Sequence, residues 1–272
     1  MAEQADPLAR LVEQVRRSAK YRCISPELIQ SVGARELARR RNWRQAVKAT
    51  RDKLHQVGGA YLDRRVDYAR WLGDLRAAVR SGDRAALLAA CARIMGHHTS
   101  SRERLEILAP FYAATLGLLP PIHSLLDVAC GLNPLAIPWM PLAADVEYHA
   151  CDIYQDMIGF LGEALPLLGV RGSAQAIDVI QSCPTRRVDL ALLLKTLPCL
   201  EQVDKSAGRR LLDTVNADHL LVSYPVHSLG GAEKGMAASY EAHFRELVAG
   251  RPWQVRRFEF ATELAFLVSK QG

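Results

Sequence analysis

The sequence predicts a two-part α/β protein, an all-helical N-terminal third followed by a parallel sheet with crossover helices. Three observations lead there. Apolar residues recur at helical spacing as far as Leu118, and from Ile122 short apolar runs alternate with amphipathic helices. The charge divides near the same place. Residues 1–104 carry 22 Lys/Arg against 11 Asp/Glu, a net of +11, and the other 168 carry a net of −5.

Leu8, Leu11, Val12 and Val15 outline a first helix up to Lys20. Ser25-Pro26 starts a second, with Ser as cap and Pro in the first turn, running to about Arg40. Asn42 caps a third, whose apolar stripe is Trp43, Ala46, Val47, Leu54 and Val57 and which Gly58-Gly59 ends. Helices over 64–80 and 83–95 follow, and Ser100 or Ser101 caps a long one through Leu118. Pro120-Pro121 then forces extended chain.

Strands are expected at 122–128, 146–151, 173–177, 188–194, 218–223, 253–260 and 263–269, with helices near 134–142, 153–168, 203–216 and 235–249. Only Ala261-Thr262 joins the last two strands, which requires an antiparallel hairpin. Five parallel strands plus a terminal hairpin are the strand plan of a class I, Rossmann-like methyltransferase. The working division is a basic helical unit, 1–104, and a sheet domain, 105–272.

Apolar content of 49% and charged content of 24% exclude a disordered or fibrous chain. No apolar run reaches the ~18 residues of a membrane span, and Met1–Asp6 begins acidic without a signal core, so a cytoplasmic protein is expected. Six cysteines lack any C-x-x-C pair, which suggests reduced thiols rather than a disulfide frame or metal site. Arg39, Arg40, Arg41, Arg44, Lys48, Arg51 and Lys53 crowd one short window of the basic third. They read as a solvated helix face or as a surface for a polyanion, and their density favours nucleic acid.

The chemistry-bearing residues gather at predicted strand ends, where open α/β sheets bind ligands. Asp127-Val128-Ala129-Cys130-Gly131-Leu132-Asn133-Pro134 is a buried strand entering a glycine turn, which lets backbone approach a polar ligand. Asp152 ends the next strand, 25 positions after Asp127, where a ribose-binding carboxylate belongs. The glycines are too few for a dinucleotide fingerprint, so S-adenosylmethionine fits better. Asp178 on the next strand end could accept from an adenine amino group, and Lys195 after the fourth points into the site or to solvent. Cys199 follows Pro198 as in cytosine-C5 methyltransferases, but without a second cysteine it reads as a buried structural thiol. His97-His98 has no third partner for a metal, and the segment around Ser100 reads as a capping box.

With these words in place, the chain resembles the aminoglycoside-resistance 16S rRNA guanine-1405-N7 methyltransferases, particularly the branch of drug-producing actinomycetes. The likeness rests on Lys20-Tyr21-Arg22, Thr50–His55 with Gly59-Ala60-Tyr61, Ser101–Leu105, Asp127–Leu135, Cys151-Asp152-Ile153, Lys195–Pro198, and Ser228–Gly231 to Gly235-Met236. The resemblance implies S-adenosylmethionine as cofactor, Arg104 on its methionine carboxylate, Ala129 and Gly131 at its backbone, Asp152 on ribose and Asp178 on adenine. It places Lys195 at the target-base end, the basic helices on the 30S subunit near the helix 44 decoding region, and no metal. Some relatives carry an extra arginine where this chain has Ala232 and Glu233, which leaves Lys234 as that loop's basic contact. A monomer is expected, because a ribosome-docking surface leaves little reason for a dimer. Methylation of another base or a small molecule, and a noncatalytic ribosome-binding factor, are the competing readings.

Overall fold

The computed structural model describes residues 6–59, 66–226 and 236–270. The N-terminal helices are α1 (Pro7–Arg16), α2 (Pro26–Arg39), α3 (Trp43–Leu54), α4 (Tyr68–Ser81) and α5 (Arg84–Met95). Their starts follow the expected capping chemistry. The Ser25 hydroxyl accepts from the Leu28 N–H at 3.2 Å, and the Asn42 side chain accepts from the Arg44 N–H at 2.8 Å. α3 runs on to its glycines through one π-helical turn, His55–Gly59, a form that is rare and frequent at functional sites.

The expected single helix from Ser100 to Leu118 is a correction. It is α6 (Thr99–Arg104), a 3-10 turn (Leu105–Ile107) and α7 (Leu108–Leu116), and its cap position is His98 rather than a serine. Ser100 and Ser101 lie inside the first turn, so their side chains are free to face the interior. Two further helices differ from expectation. The 134–142 segment is a 3-10 helix, Asn133–Trp139, because Pro134 and Pro138 remove backbone donors. The 203–216 segment holds one shorter helix, α10 (Ala207–Thr214), and a helix that was not expected, α9 (Thr196–Val203), precedes it, the two parted where Asp204 accepts from the Ser206 N–H at 3.0 Å. α8 (Gln155–Leu167) and α11 (Met236–Val248) lie as predicted.

The strands are β1 (Ser124–Val128), β2 (Glu147–Asp152), β3 (Arg171–Ala176), β4 (Val188–Leu194), β5 (Ala217–Pro225), β6 (Gln254–Glu259) and β7 (Glu263–Ser269). They form one sheet in the order β3-β2-β1-β4-β5-β7-β6 among the described residues. β1 to β5 run parallel, and β7 inserts antiparallel between β5 and β6. This is the class I methyltransferase sheet. Strand order reverses between β1 and β4, so a crevice opens beyond their carboxyl ends.

The apolar core on one face of the sheet is continuous from Leu11, Leu28 and Leu54 of the helices to Leu125, Tyr148 and Leu190 of the strands. Three polar links reinforce that seam. Gln181 donates to the Ser31 hydroxyl at 3.0 Å, Lys53 donates to the Gln202 carbonyl at 2.9 Å, and Arg35 lies 3.6 Å from Asp204. The basic helices therefore bear directly on the edge of the crevice.

Candidate functional site

The crevice is lined by the loops after β1, β2, β3 and β4 and by residues of the helical third, including Leu28, Val57, His98 and Ser101. The turn after β1 requires unusual backbone at two positions, Ala129 at φ 52° and Gly131 at φ 52°. At Gly131 a side chain is excluded twice over. The left-handed conformation disfavours one, and a Cβ would lie 2.5 Å from His98 Cε1. Burial, with Arg104 and Lys195 nearby, pushes the His98 imidazole down to about 3, so it is a neutral ring.

Asp152 fixes this turn to β2. Its carboxylate accepts from the Gly131 N–H at 2.9 Å and from the Ile153 N–H at 2.6 Å. Burial raises its pKa, opposed by those backbone donors. Each oxygen keeps a lone pair for a diol. Asp178 is 5% exposed, and its Oδ1 accepts from the Ile180 N–H at 3.0 Å. Its Oδ2 is buried and meets no hydrogen-bond partner among the described residues. An unmatched buried acceptor is costly, and here it borders the crevice between Ile177 and Ile180. A nucleoside with an exocyclic amino group and a ribose diol fits this pair of carboxylates and the apolar walls.

Deeper in, a closed polar network joins α6, α7, β1 and β2. Asn133 is its hub. Its amide oxygen accepts from Arg104 at 3.0 Å and from the Tyr112 hydroxyl at 2.6 Å, and its nitrogen donates to Asp127 Oδ2 at 2.8 Å. The Tyr148 hydroxyl donates to the same oxygen at 2.6 Å. Burial pushes the Asp127 carboxyl up to about 7, against the two hydrogen bonds. Arg104 lines the crevice and is 1% exposed. Its Nε stands 2.8 Å from Glu263 Oε1, and its NH2 donates to Glu263 Oε2 at 3.1 Å.

Lys195 opens the β4 turn in the left-handed region, φ 59°. The turn is tied to both neighbouring strands. The Lys195 N–H donates to the Ser223 carbonyl at 3.0 Å, and the Thr196 hydroxyl donates to the Val128 carbonyl at 3.0 Å. The ammonium is buried in the crevice wall, 2.6 Å from Glu103 Oε2 and 3.4 Å from Glu263 Oε1. Of the two orientations open in the sequence, the structure selects the inward one. Cys199 is a correction. It is only half-buried and lines the crevice, its thiol donating to the Lys195 carbonyl at 3.4 Å, rather than sitting in the core.

Arg104, Ala129, Asp152, Asp178 and Lys195 thus converge on one crevice, with Gly131 directly behind it. The basic window stands apart from it and divides in two. Arg39, Arg40, Arg41, Arg44 and Lys48 are exposed. Arg51 and Lys53 are half-buried and hold the fold, Arg51 donating to the Gln14 carbonyl at 2.8 Å and Lys53 to Gln202. Lys234 lies outside the described residues. Sequence reasoning missed Tyr148 and Glu263, and it named Asn133 and His98 without the roles the structure gives them. Only Glu263 carried a signal, a charge opening the otherwise apolar run of β7.

Three comparisons bear on this site. The family profile described as Ribosomal RNA methyltransferase (FmrO) matches residues 17–267. A protein of Frankia casuarinae named 16S rRNA (guanine(1405)-N(7))-methyltransferase is 40% identical over 99% of this chain and 96% of its own length. One of Micromonospora echinospora with the same name is 37% identical over 97% of each chain. Among solved structures, the 16S rRNA methyltransferase RmtF in complex with S-adenosyl-L-homocysteine superposes with a TM-score of 0.78 at 30% identity. That match covers 98% of this chain and 99% of RmtF.

Proposed function

The chain belongs to the FmrO family of ribosomal RNA methyltransferases, and from that premise we propose that it methylates N7 of guanine 1405 in 16S rRNA of the 30S subunit. S-adenosylmethionine would supply the methyl group on a sulfonium. The observation that supports the cofactor is the unmatched Asp178 Oδ2 beside Asp152 at successive strand ends. Asp178 would accept from the adenine amino group, Asp152 from the ribose hydroxyls, and Arg104 would hold the methionine carboxylate. Ala129 and Gly131 keep the backbone low enough for the ligand to pass.

Guanine N7 carries an in-plane lone pair. The N–C bond forms as the S–C bond breaks, the electron pair goes to sulfur, and the positive charge passes to the base without any proton transfer. The reaction therefore asks for alignment and exclusion of water rather than a general base. The crevice is built that way, since Lys195 is ion-paired and His98 is held neutral. N7 lies in a deep, narrow RNA groove, so the target base must be turned out to reach this site. The helical third docks on the 30S particle near helix 44 through the exposed Arg39–Lys48 face. Residues 105–272 carry out the transfer together with His98, Ser101 and Arg104 at the end of that third, as a cytoplasmic monomer. The product places a methyl group and a positive charge where cationic 4,6-disubstituted deoxystreptamine aminoglycosides bind, which gives resistance.

The test is incubation with 30S subunits and methyl-labelled cofactor, followed by mapping of the label. Label at N7 of guanine 1405 is expected. Label at another nucleotide, or none in 30S, overturns the proposal.

A further inference from the structure

Resting on the guanine-N7 reading, we propose that Glu103 and Lys195 together read the pairing edge of the target guanine. Lys195 lines the crevice, and its Nζ lies 2.6 Å from Oε2 of Glu103, the residue before the crevice-lining Arg104. Ser100, one turn before Glu103 on α6, lines the same crevice. Lys195 Nζ offers a donor, and the two Glu103 oxygens offer acceptors. The row donor, acceptor, acceptor is the one that cytosine presents to guanine. It matches O6, N1–H and N2–H2 in order. Adenine presents a donor at N6 and an acceptor at N1, the opposite polarity, and would leave both charges facing like partners.

The two carboxylates beside Lys195 differ in freedom. Glu263 is wholly buried, its Oε2 accepting from Arg104 and its Oε1 lying between Arg104 Nε and Lys195 Nζ. It fixes the lysine and cannot turn to a ligand. Glu103 retains 36% of its side-chain exposure, so it can exchange part of its lysine contact for a base. Its second role is electrostatic. The base becomes cationic as the N–C bond forms, so a carboxylate on N1–H and N2–H2 binds the transition state more tightly than the ground state.

The experiment uses the full-length protein and 30S particles reconstituted with guanosine or inosine at the target position. Inosine keeps N7, O6 and N1–H but lacks the N2 amino group. For the unaltered protein, single-turnover transfer to inosine should be about 10- to 100-fold slower, the loss of a hydrogen bond to a charged acceptor. For Glu103→Ala, the guanosine rate should fall and the inosine-to-guanosine ratio should approach one. Glu103→Gln, which keeps the size of the side chain but turns one acceptor into a donor, should behave likewise and carries the test if the alanine variant does not fold. A purely structural Glu103 would lower both rates and leave their ratio unchanged, and that result overturns the proposal. So does an unaltered protein that ignores the N2 amino group. A protein that methylates no guanosine-containing particle overturns the guanine-N7 reading itself, and this proposal with it.

Discussion

Glu263 closes on Arg104 across the sheet, with Oε1 2.8 Å from Nε and Oε2 accepting from NH2 at 3.1 Å. The pair joins the first residue of β7 to the last residue of α6, and both side chains are essentially excluded from water. One hydrogen bond and a second close contact hold the pair, and the Asn133 amide oxygen accepts a further guanidinium N–H. Arg104 also lines the crevice.

Removing one member should therefore be severe. Glu263→Ala leaves the Arg104 charge buried without its partner, and denaturant unfolding should show a loss of about 3–5 kcal/mol. The same variant should weaken cofactor binding, because Arg104 loses its fixed orientation. A loss under about 1 kcal/mol, the range of an exposed ion pair, would contradict this account of the site.

The two carboxylates at the nucleoside end should separate by their structural duties. Asp178→Asn preserves the oxygen that accepts from Ile180 and replaces the unmatched one by a donor. It should weaken S-adenosylhomocysteine binding about tenfold or more, measured by calorimetry, with little change in stability. Asp152→Ala should weaken binding and also destabilise the protein, since Gly131 and Ile153 lose their acceptor.

Gly131→Ala should fail for a backbone reason and a steric one. The left-handed conformation costs a non-glycine residue about 1–2 kcal/mol, and the new Cβ would meet the His98 ring. Thermal unfolding should show the lower stability, and cofactor affinity should fall because the turn must shift. A combined Gly131→Ala, His98→Ala protein should recover the steric part only. Full recovery would show that the φ of 52° is not a constraint.

The succession of parallel strands, the terminal hairpin and the caps Ser25 and Asn42 were legible in sequence because they rest on local chemistry: apolar run length, connection length and a side chain near its own backbone. Asp152, Asp178 and Lys195 were legible because strand ends concentrate polar residues. The roles of Asn133, Tyr148 and Glu263 were not, since each is defined by a partner 6 to 159 positions away. The helix broken at Leu105–Ile107 had a local signal that the apolar spacing overrode: Pro110, in the first turn of α7, has no N–H for the Glu106 carbonyl.

The basic window should respond in two ways. Glu substitutions at Arg39, Arg41, Arg44 and Lys48 should leave cofactor affinity intact and weaken 30S binding. The slope of log affinity against log salt should drop by roughly 0.7–0.9 for each phosphate that is no longer neutralised. Arg51→Glu should instead lower the melting temperature, because its guanidinium ties α3 to the Gln14 carbonyl of α1. Equal loss of cofactor affinity in both groups would contradict the division of labour between the helical third and the crevice.

Asp127 predicts the pH dependence of stability. Its ordinary value is near 3.8, and burial raises it in the folded protein to about 7. Between those values the folded chain keeps a proton that the unfolded chain has released. Stability from this residue is thus greatest below pH 4, falls as pH rises towards 7, and is level above. The full change is on the order of 4 kcal/mol. Asp127→Asn keeps an oxygen to accept from Asn133 and Tyr148 and cannot ionise. The unaltered protein minus this variant should lose stability across pH 4 to 7 in parallel denaturant titrations. A difference that is flat, or that grows with pH, would mean that Asp127 is charged in the fold, held there by Arg104 through Asn133.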